Sequence, residues 1–173
     1  MKTKTFLRKT ETFEPSFLLI TVAAILMSLS VTRSNAQVNF SGTWVLNEAK
    51  SSPAEGGFRF APTTINITHN GNELSVQSTM PGPDGDFTFS SKYTLDGKEC
   101  SNVLFQDNVR KSVVQWSADK KSLTFTHTMN FNGNEFKTTE TWTLNETDKT
   151  LAIENVFNTP NGEMRMTNVY DKK

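Results

Sequence analysis

The chain has two histidines, His69 and His127, and neither stands at a spacing that would ligate a metal or haem together with a second His, Cys or carboxylate. No Gly-rich phosphate loop, paired-cysteine motif, His-x-x-x-His or Gly-x-Ser-x-Gly occurs. Ser117-Ala118-Asp119-Lys120 has the form Ser-x-x-Lys, but Ser, Asp and Lys between two apolar runs are ordinary turn residues. What remains is a distributed set: Arg110, Ser112, His127, Thr138, Glu140, Asn155 and Asn168, interspersed among Trp116, Phe125, Trp142, Ile153 and Phe157. A carboxylate, an imidazole and a guanidinium among aromatics can hold and orient a polar group. Without an activated nucleophile or a cofactor motif they do not compose a reaction, so the chain reads as a non-enzyme with no cofactor and no metal.

The elements that position this set are strands. Short runs alternate apolar and polar residues between turn signals, giving ten candidates: Gly42 to Asn47, Thr63 to His69, Glu73 to Met80, Asp86 to Leu95, Glu99 to Phe105, Val109 to Trp116, Ser122 to Asn130, Glu135 to Leu144, Leu151 to Phe157 and Glu163 to Tyr170. The turns set the register. Asn132-Gly133 suits a type I′ hairpin, so Phe131 faces Asn134, His127 faces Thr138, Phe125 faces Glu140 and Leu123 faces Trp142. The connection LNETDKTL pairs Leu144 with Leu151, Trp142 with Ile153 and Glu140 with Asn155. WSADKKSL has the same length and is read as the same kind of hairpin, pairing Trp116 with Leu123, Val114 with Phe125 and Ser112 with His127. Asn158 to Gly162 then sets Phe157 against Met164, Asn155 against Met166 and Leu151 against Tyr170.

Five successive strands thus share one apolar face, whereas a slip of one residue would turn a strand inside out. Long twisted meanders remove their exposed edges by closing. The expected fold is all-β, an up-and-down antiparallel meander closing into a barrel of eight to ten strands, with a two-sheet sandwich as the alternative. On its inward face, His127 and Glu140 are diagonal neighbours and Asn155 stands opposite Glu140. A carboxylate removed from water costs several kcal/mol unless it is paired. Either the interior is wet and lined for a ligand, or these residues satisfy one another as a structural cluster. The long segment Glu48 to Pro62 (EAKSSPAEGGFRFAP) cannot be a continuous helix, because Pro53, Gly56, Gly57 and Pro62 interrupt it. Its Phe58 and Phe60 either form a lid over the barrel mouth or tuck under the loop as a satellite core.

Residues 1–36 differ from the rest. Lys2, Lys4, Arg8 and Lys9 precede an apolar run of 13 residues, Phe17 to Leu29, and Ser34-Asn35-Ala36 ends on small residues. This is the pattern of a secretory signal peptide, and the run is shorter than the ~20 residues of a membrane span. The expected division is a leader over 1–36 and one domain over 37–173, secreted or periplasmic, without stable membrane insertion. The leader holds five of the 18 basic and two of the 18 acidic residues, leaving 13 basic and 16 acidic, a net charge of −3. That balance, without a basic run, excludes nucleic acid as an expected partner. Cys100 is the single cysteine; it cannot form an internal disulfide, and burial is its expected state.

Phe40-Ser41-Gly42-Thr43-Trp44 resembles the Gly-x-Trp signature that opens the first strand of lipocalins and fatty-acid-binding proteins, the calycin group of β-barrels. With its leader, Asp96-Gly97-Lys98 turn, Thr141-to-Leu144 strand and Tyr170-Asp171-Lys172 end, the chain resembles the small secreted lipocalin-like proteins of bacteria. The resemblance implies a lipocalin-like barrel and, as partner, a small lipophilic molecule. The candidate ligand-binding residues are then Trp44, Phe125 and Trp142 as apolar wall and Arg110, His127, Glu140 and Asn155 as polar anchors. Three departures stand out. No arginine is placed to pack over Trp44, no helical pair can follow the first strand, and Asn168 stands where fatty-acid binders carry an arginine two residues before the final tyrosine. If the leader is cleaved as expected, intact mass and N-terminal sequencing of exported protein will give a chain beginning at Gln37; an exported chain that keeps Met1 would contradict the reading.

Overall fold

The computed structural model describes residues 37–104, 108–131, 133–159 and 162–173; the expected leader lies outside the described residues. Ten strands follow one another: β1 Gly42–Leu46, β2 Thr64–Asn70, β3 Glu73–Met80, β4 Phe87–Thr94, β5 Glu99–Val103, β6 Val109–Trp116, β7 Ser122–Phe131, β8 Asn134–Asn145, β9 Thr150–Thr159 and β10 Gly162–Lys172. They form one antiparallel sheet in the order β4-β3-β2-β1-β10-β9-β8-β7-β6-β5. The register expected from the turns is the register observed: Ser112 opposes His127, His127 opposes Thr138, Glu140 opposes Asn155 and Leu151 opposes Tyr170. Short hairpins explain this, because a loop of fixed length and a buried face leave a strand one way to pair. Gly133 takes the φ of +80 that the type I′ turn needs. The β6–β7 and β8–β9 loops are alike in length but not in conformation: the residue at positive φ is Lys120 in one and Lys149, one position later in its loop, in the other.

The sheet closes by two different means. β1 pairs with β10, Trp44 opposing Lys172, so the first and last strands complete the wall. β4 and β5 share no backbone ladder; there the Asn102 side chain takes the place of a strand, its Oδ1 accepting from Lys92 N at 2.7 Å and its Nδ2 donating to Lys92 O at 3.0 Å. The result is a nearly closed ten-stranded antiparallel meander barrel.

Antiparallel order puts the β1–β2, β3–β4, β5–β6, β7–β8 and β9–β10 connections at one end, the mouth, and the remaining turns with the N-terminal segment at the other, the base. Phe40 plugs the base. It is fully buried, lies 5.9 Å from Trp142 and 6.0 Å from Trp116 between ring centroids, and its carbonyl accepts the Trp44 indole N–H at 2.9 Å. Its own N–H donates to His69 Nδ1 at 3.3 Å, which assigns His69 to the clamp on this plug.

The cation absent from the sequence pattern over Trp44 is Lys172, whose Nζ sits 5.2 Å from the ring centroid, within cation–π range. Gly42 makes room for it, since a Cβ there would lie 2.7 Å from Lys172 Cε, and its φ of +149 disfavours other residues. The segment after β1 forms two short 3-10 turns, Glu48–Lys50 and Glu55–Gly57. It buries Ala54 and Ala61, while Phe58 and Phe60 stand half in solvent, so no satellite core forms beneath them. Cys100 is half-buried rather than buried, its thiol directed to Ser112 O at 3.3 Å.

Replacing Asn102 by alanine removes both bonds across the seam. At about 0.5–1.5 kcal/mol each, urea unfolding will show a loss of about 1–3 kcal/mol, and the Lys92 amide will exchange faster with solvent. Unchanged exchange at Lys92 would mean that the side chain does not join the two edges.

Candidate functional site

Inward-facing side chains change character from base to mouth, because alternate residues on every strand share the lumen face. The base is apolar: Trp44, Leu74, Val76, Tyr93, Leu95, Val114, Leu123, Phe125, Trp142, Leu151 and Ile153 form one buried cluster. One step toward the mouth the same strands present a polar belt, with Ser78, Ser91, Asn102, Ser112 and His127 buried and Arg110, Thr138, Glu140 and Asn155 partly open. Above the belt the wall turns apolar again at Met80, Phe89, Met129, Phe157 and Met164. Large exposed apolar side chains crowd the mouth, namely Phe58, Phe60, Phe87, Val103, Val109 and Phe136.

Strands β6 to β9 assemble the centre of the belt. Ser112 Oγ and His127 Nδ1 are 2.8 Å apart. His127 Nε2 lies 3.8 Å from Glu140 Oε2, an ion-pair approach rather than a hydrogen bond. The Trp142 indole N–H donates to Glu140 Oε1. Phe125 forms the floor, with ring centroids 4.8 Å from Trp142, 5.1 Å from Tyr93 and 5.8 Å from His127. Across the seam, Arg110 Nη2 donates to Ser91 Oγ at 3.1 Å and to the Tyr93 hydroxyl.

Burial opposes the charge on Glu140, yet the His127 imidazole, the Trp142 N–H and the Arg110 guanidinium outweigh it and hold the carboxyl below its ordinary 4.5. Burial, with the Glu140 charge adding to it, pushes the Tyr170 hydroxyl up. Tyr93 is pushed up by burial as well, against the lowering effect of Arg110. Both phenols therefore remain neutral. Protein surrounds the Glu140 carboxylate, but 22 % of its side-chain surface is open. These agree if the open surface faces space inside the barrel. Among the described residues, two buried polar atoms, Arg110 Nε and Asn168 Oδ1, have no hydrogen-bond partner.

Of the candidate residues, Phe125, His127, Glu140 and Trp142 come together directly, Asn155 flanks Glu140 through the β8–β9 ladder, and Arg110 joins through Tyr93. Trp44 sits in the base, its N–H given to Phe40 and its ring covered by Lys172. Ser91 and Tyr93 were beyond reach of the turn-based register, because no ladder links β4 to β5 or β6; the alternation Ser91, Tyr93, Leu95 was the signal in the sequence that could have suggested them. Among the described residues, no group of three or more His, Cys, Asp or Glu is placed to hold a metal ion.

No protein-family model matches the chain, and no curated protein matches it. Among solved structures, the fold is similar to that of a zebrafish ileal bile acid-binding protein complexed with cholic acid, with a TM-score of 0.54 and 18 % identity over 78 % of this chain and 98 % of that one. At this identity the likeness extends to the fold.

A carboxylate whose pKa is depressed on folding adds stability above its unfolded value and loses it as pH falls through the folded one. Wild-type stability will therefore fall more steeply than that of Glu140→Gln as pH is lowered from 4.5. Parallel curves in acid-titrated urea unfolding would show that Glu140 is not held ionised by its neighbours.

Proposed function

We propose that this chain binds a small lipophilic molecule inside its barrel. The observation that carries the reading is the Glu140 side chain, which shares the lumen face with Trp142 and opposes Phe125 and Asn155, yet is 22 % open. A carboxylate kept only for structure would be expected to spend both oxygens on protein donors, since a buried charge without hydrogen bonds is costly. The apolar walls above and below the belt would take the hydrocarbon, Phe125 and Trp142 forming the floor and Met129, Phe157 and Met164 the sides. His127, Glu140, Asn155 and Arg110 would orient the polar end. The similar zebrafish fold, which holds cholic acid, supports a lumen that can accommodate a ligand. From the leader pattern and the Gly42-Thr43-Trp44 opening, we further propose that the protein acts outside the cytoplasm, as a secreted or periplasmic lipocalin-like binder and not as an enzyme.

A second reading has its own support. Ser112 with His127, and Arg110 Nη2 with Ser91 and Tyr93, already hydrogen-bond one another, as a structural cluster in a filled barrel would. Native mass spectrometry of protein purified without denaturation separates the two. A retained ligand is expected in the wild type and its loss in Glu140→Leu; a ligand-free wild type together with an equally or more stable Glu140→Leu would establish the filled barrel.

A further inference from the structure

A carboxylate at the bottom of an apolar cup discriminates among lipid headgroups. Glu140 Oε1 takes the Trp142 N–H, while Oε2 has no hydrogen bond among the described residues and only His127 Nε2 at 3.8 Å as a near neighbour. His127 has its other nitrogen on Ser112. Beside Glu140 on the β9 side, the half-buried Asn155 makes no side-chain hydrogen bond among the described residues. Arg110 on the far side of the belt is held through Nη2 by Ser91 and Tyr93, its buried Nε having no partner among the described residues. The belt thus offers the lumen an open acceptor at Glu140 and a carboxamide that can both donate and accept.

Three headgroups can be weighed against that offer. A carboxylate only accepts, so it gives Glu140 nothing and sets a second negative charge beside it. An ammonium pairs with the Glu140 charge and can donate to the Asn155 carbonyl, but it is a strongly hydrated point charge whose desolvation in an apolar cup offsets that gain, and it upsets the charge balance between Glu140 and Arg110. A hydroxyl both donates and accepts, and leaves the charge balance between Glu140 and Arg110 unchanged.

We propose that the lumen selects uncharged lipid alcohols, the hydroxyl donating to Glu140 Oε2 and accepting from the Asn155 carboxamide, with the hydrocarbon directed to the mouth past Met129, Phe157 and Met164. This rests on the lipophilic-ligand reading and narrows it to a chemical class. It departs from the acidic ligand of the similar zebrafish fold.

Equilibrium dialysis of radiolabelled dodecanol, dodecanoate and dodecylamine against the chain tests it with headgroup as the only variable. The alcohol is expected to bind at least about tenfold more tightly than either charged analogue, a margin of about 1.4 kcal/mol. In Glu140→Gln that advantage over dodecanoate should shrink to less than about threefold, since the repelling charge is gone. An acid or amine that binds as tightly as the alcohol overturns the headgroup assignment and leaves lipid binding standing. Selectivity unchanged in a folded Glu140→Gln overturns the assigned anchor. Retention of none of the three overturns the lipid reading as well.

Discussion

The constraint on which this structure turns is the cost of keeping a carboxylate inside a barrel. Glu140 cannot be solvated as it would be outside, so its neighbours must supply what water would. The Trp142 N–H, the His127 imidazole and the Arg110 guanidinium do so for one oxygen and for the charge. The second oxygen has only the His127 approach at 3.8 Å. The positions of His127 on β7, Glu140 and Trp142 on β8, and Asn155 on β9 follow from this demand, because only one register brings donor, acceptor and floor together on one face.

That register holds only while the barrel stays shut, which explains features remote from the belt. Trp44 ties the base to the N-terminal plug through Phe40. Lys172 lies over the same ring and draws β10 against β1, and Gly42 lets its side chain pass. The Gly-x-Trp opening is thus a closure device at the base rather than part of the belt. At the opposite seam Asn102 replaces a ladder with one side chain. The wall is joined there by side chains alone, Asn102 to Lys92 and Arg110 to Ser91 and Tyr93, so its least regular pairing lies on the cationic side of the belt.

Much of this was legible in the sequence, and what was legible shares a physical cause. Between β6 and β10 every connection is a short hairpin, so each turn transmits register to the next strand; His127, Glu140 and Asn155 could be placed on one face from turn chemistry alone. Where contacts are not relayed by a turn, the reading stopped. Ser91 and Tyr93 on β4 meet Arg110 on β6, and Asn102 on β5 meets Lys92 on β4, across a seam with no ladder. Lys172 was hidden because the expected cation over Trp44 was an arginine, although a lysine stem reaches a ring as well. The role of His69 depends on a contact with Phe40 that spans 29 positions, and no local periodicity reports such a contact. How far the belt opens also lies beyond pattern, since the same alternation describes a filled interior and a lined one.

The central claim is that Glu140 faces a ligand and not a partner side chain. A high-resolution crystal structure of protein purified without denaturant tests this most directly. The account predicts continuous elongated density running from Glu140 Oε2 toward the mouth between Met129, Phe157 and Met164. A carboxylate bonded on both oxygens to protein groups, beneath an upper lumen filled by side chains, would contradict it.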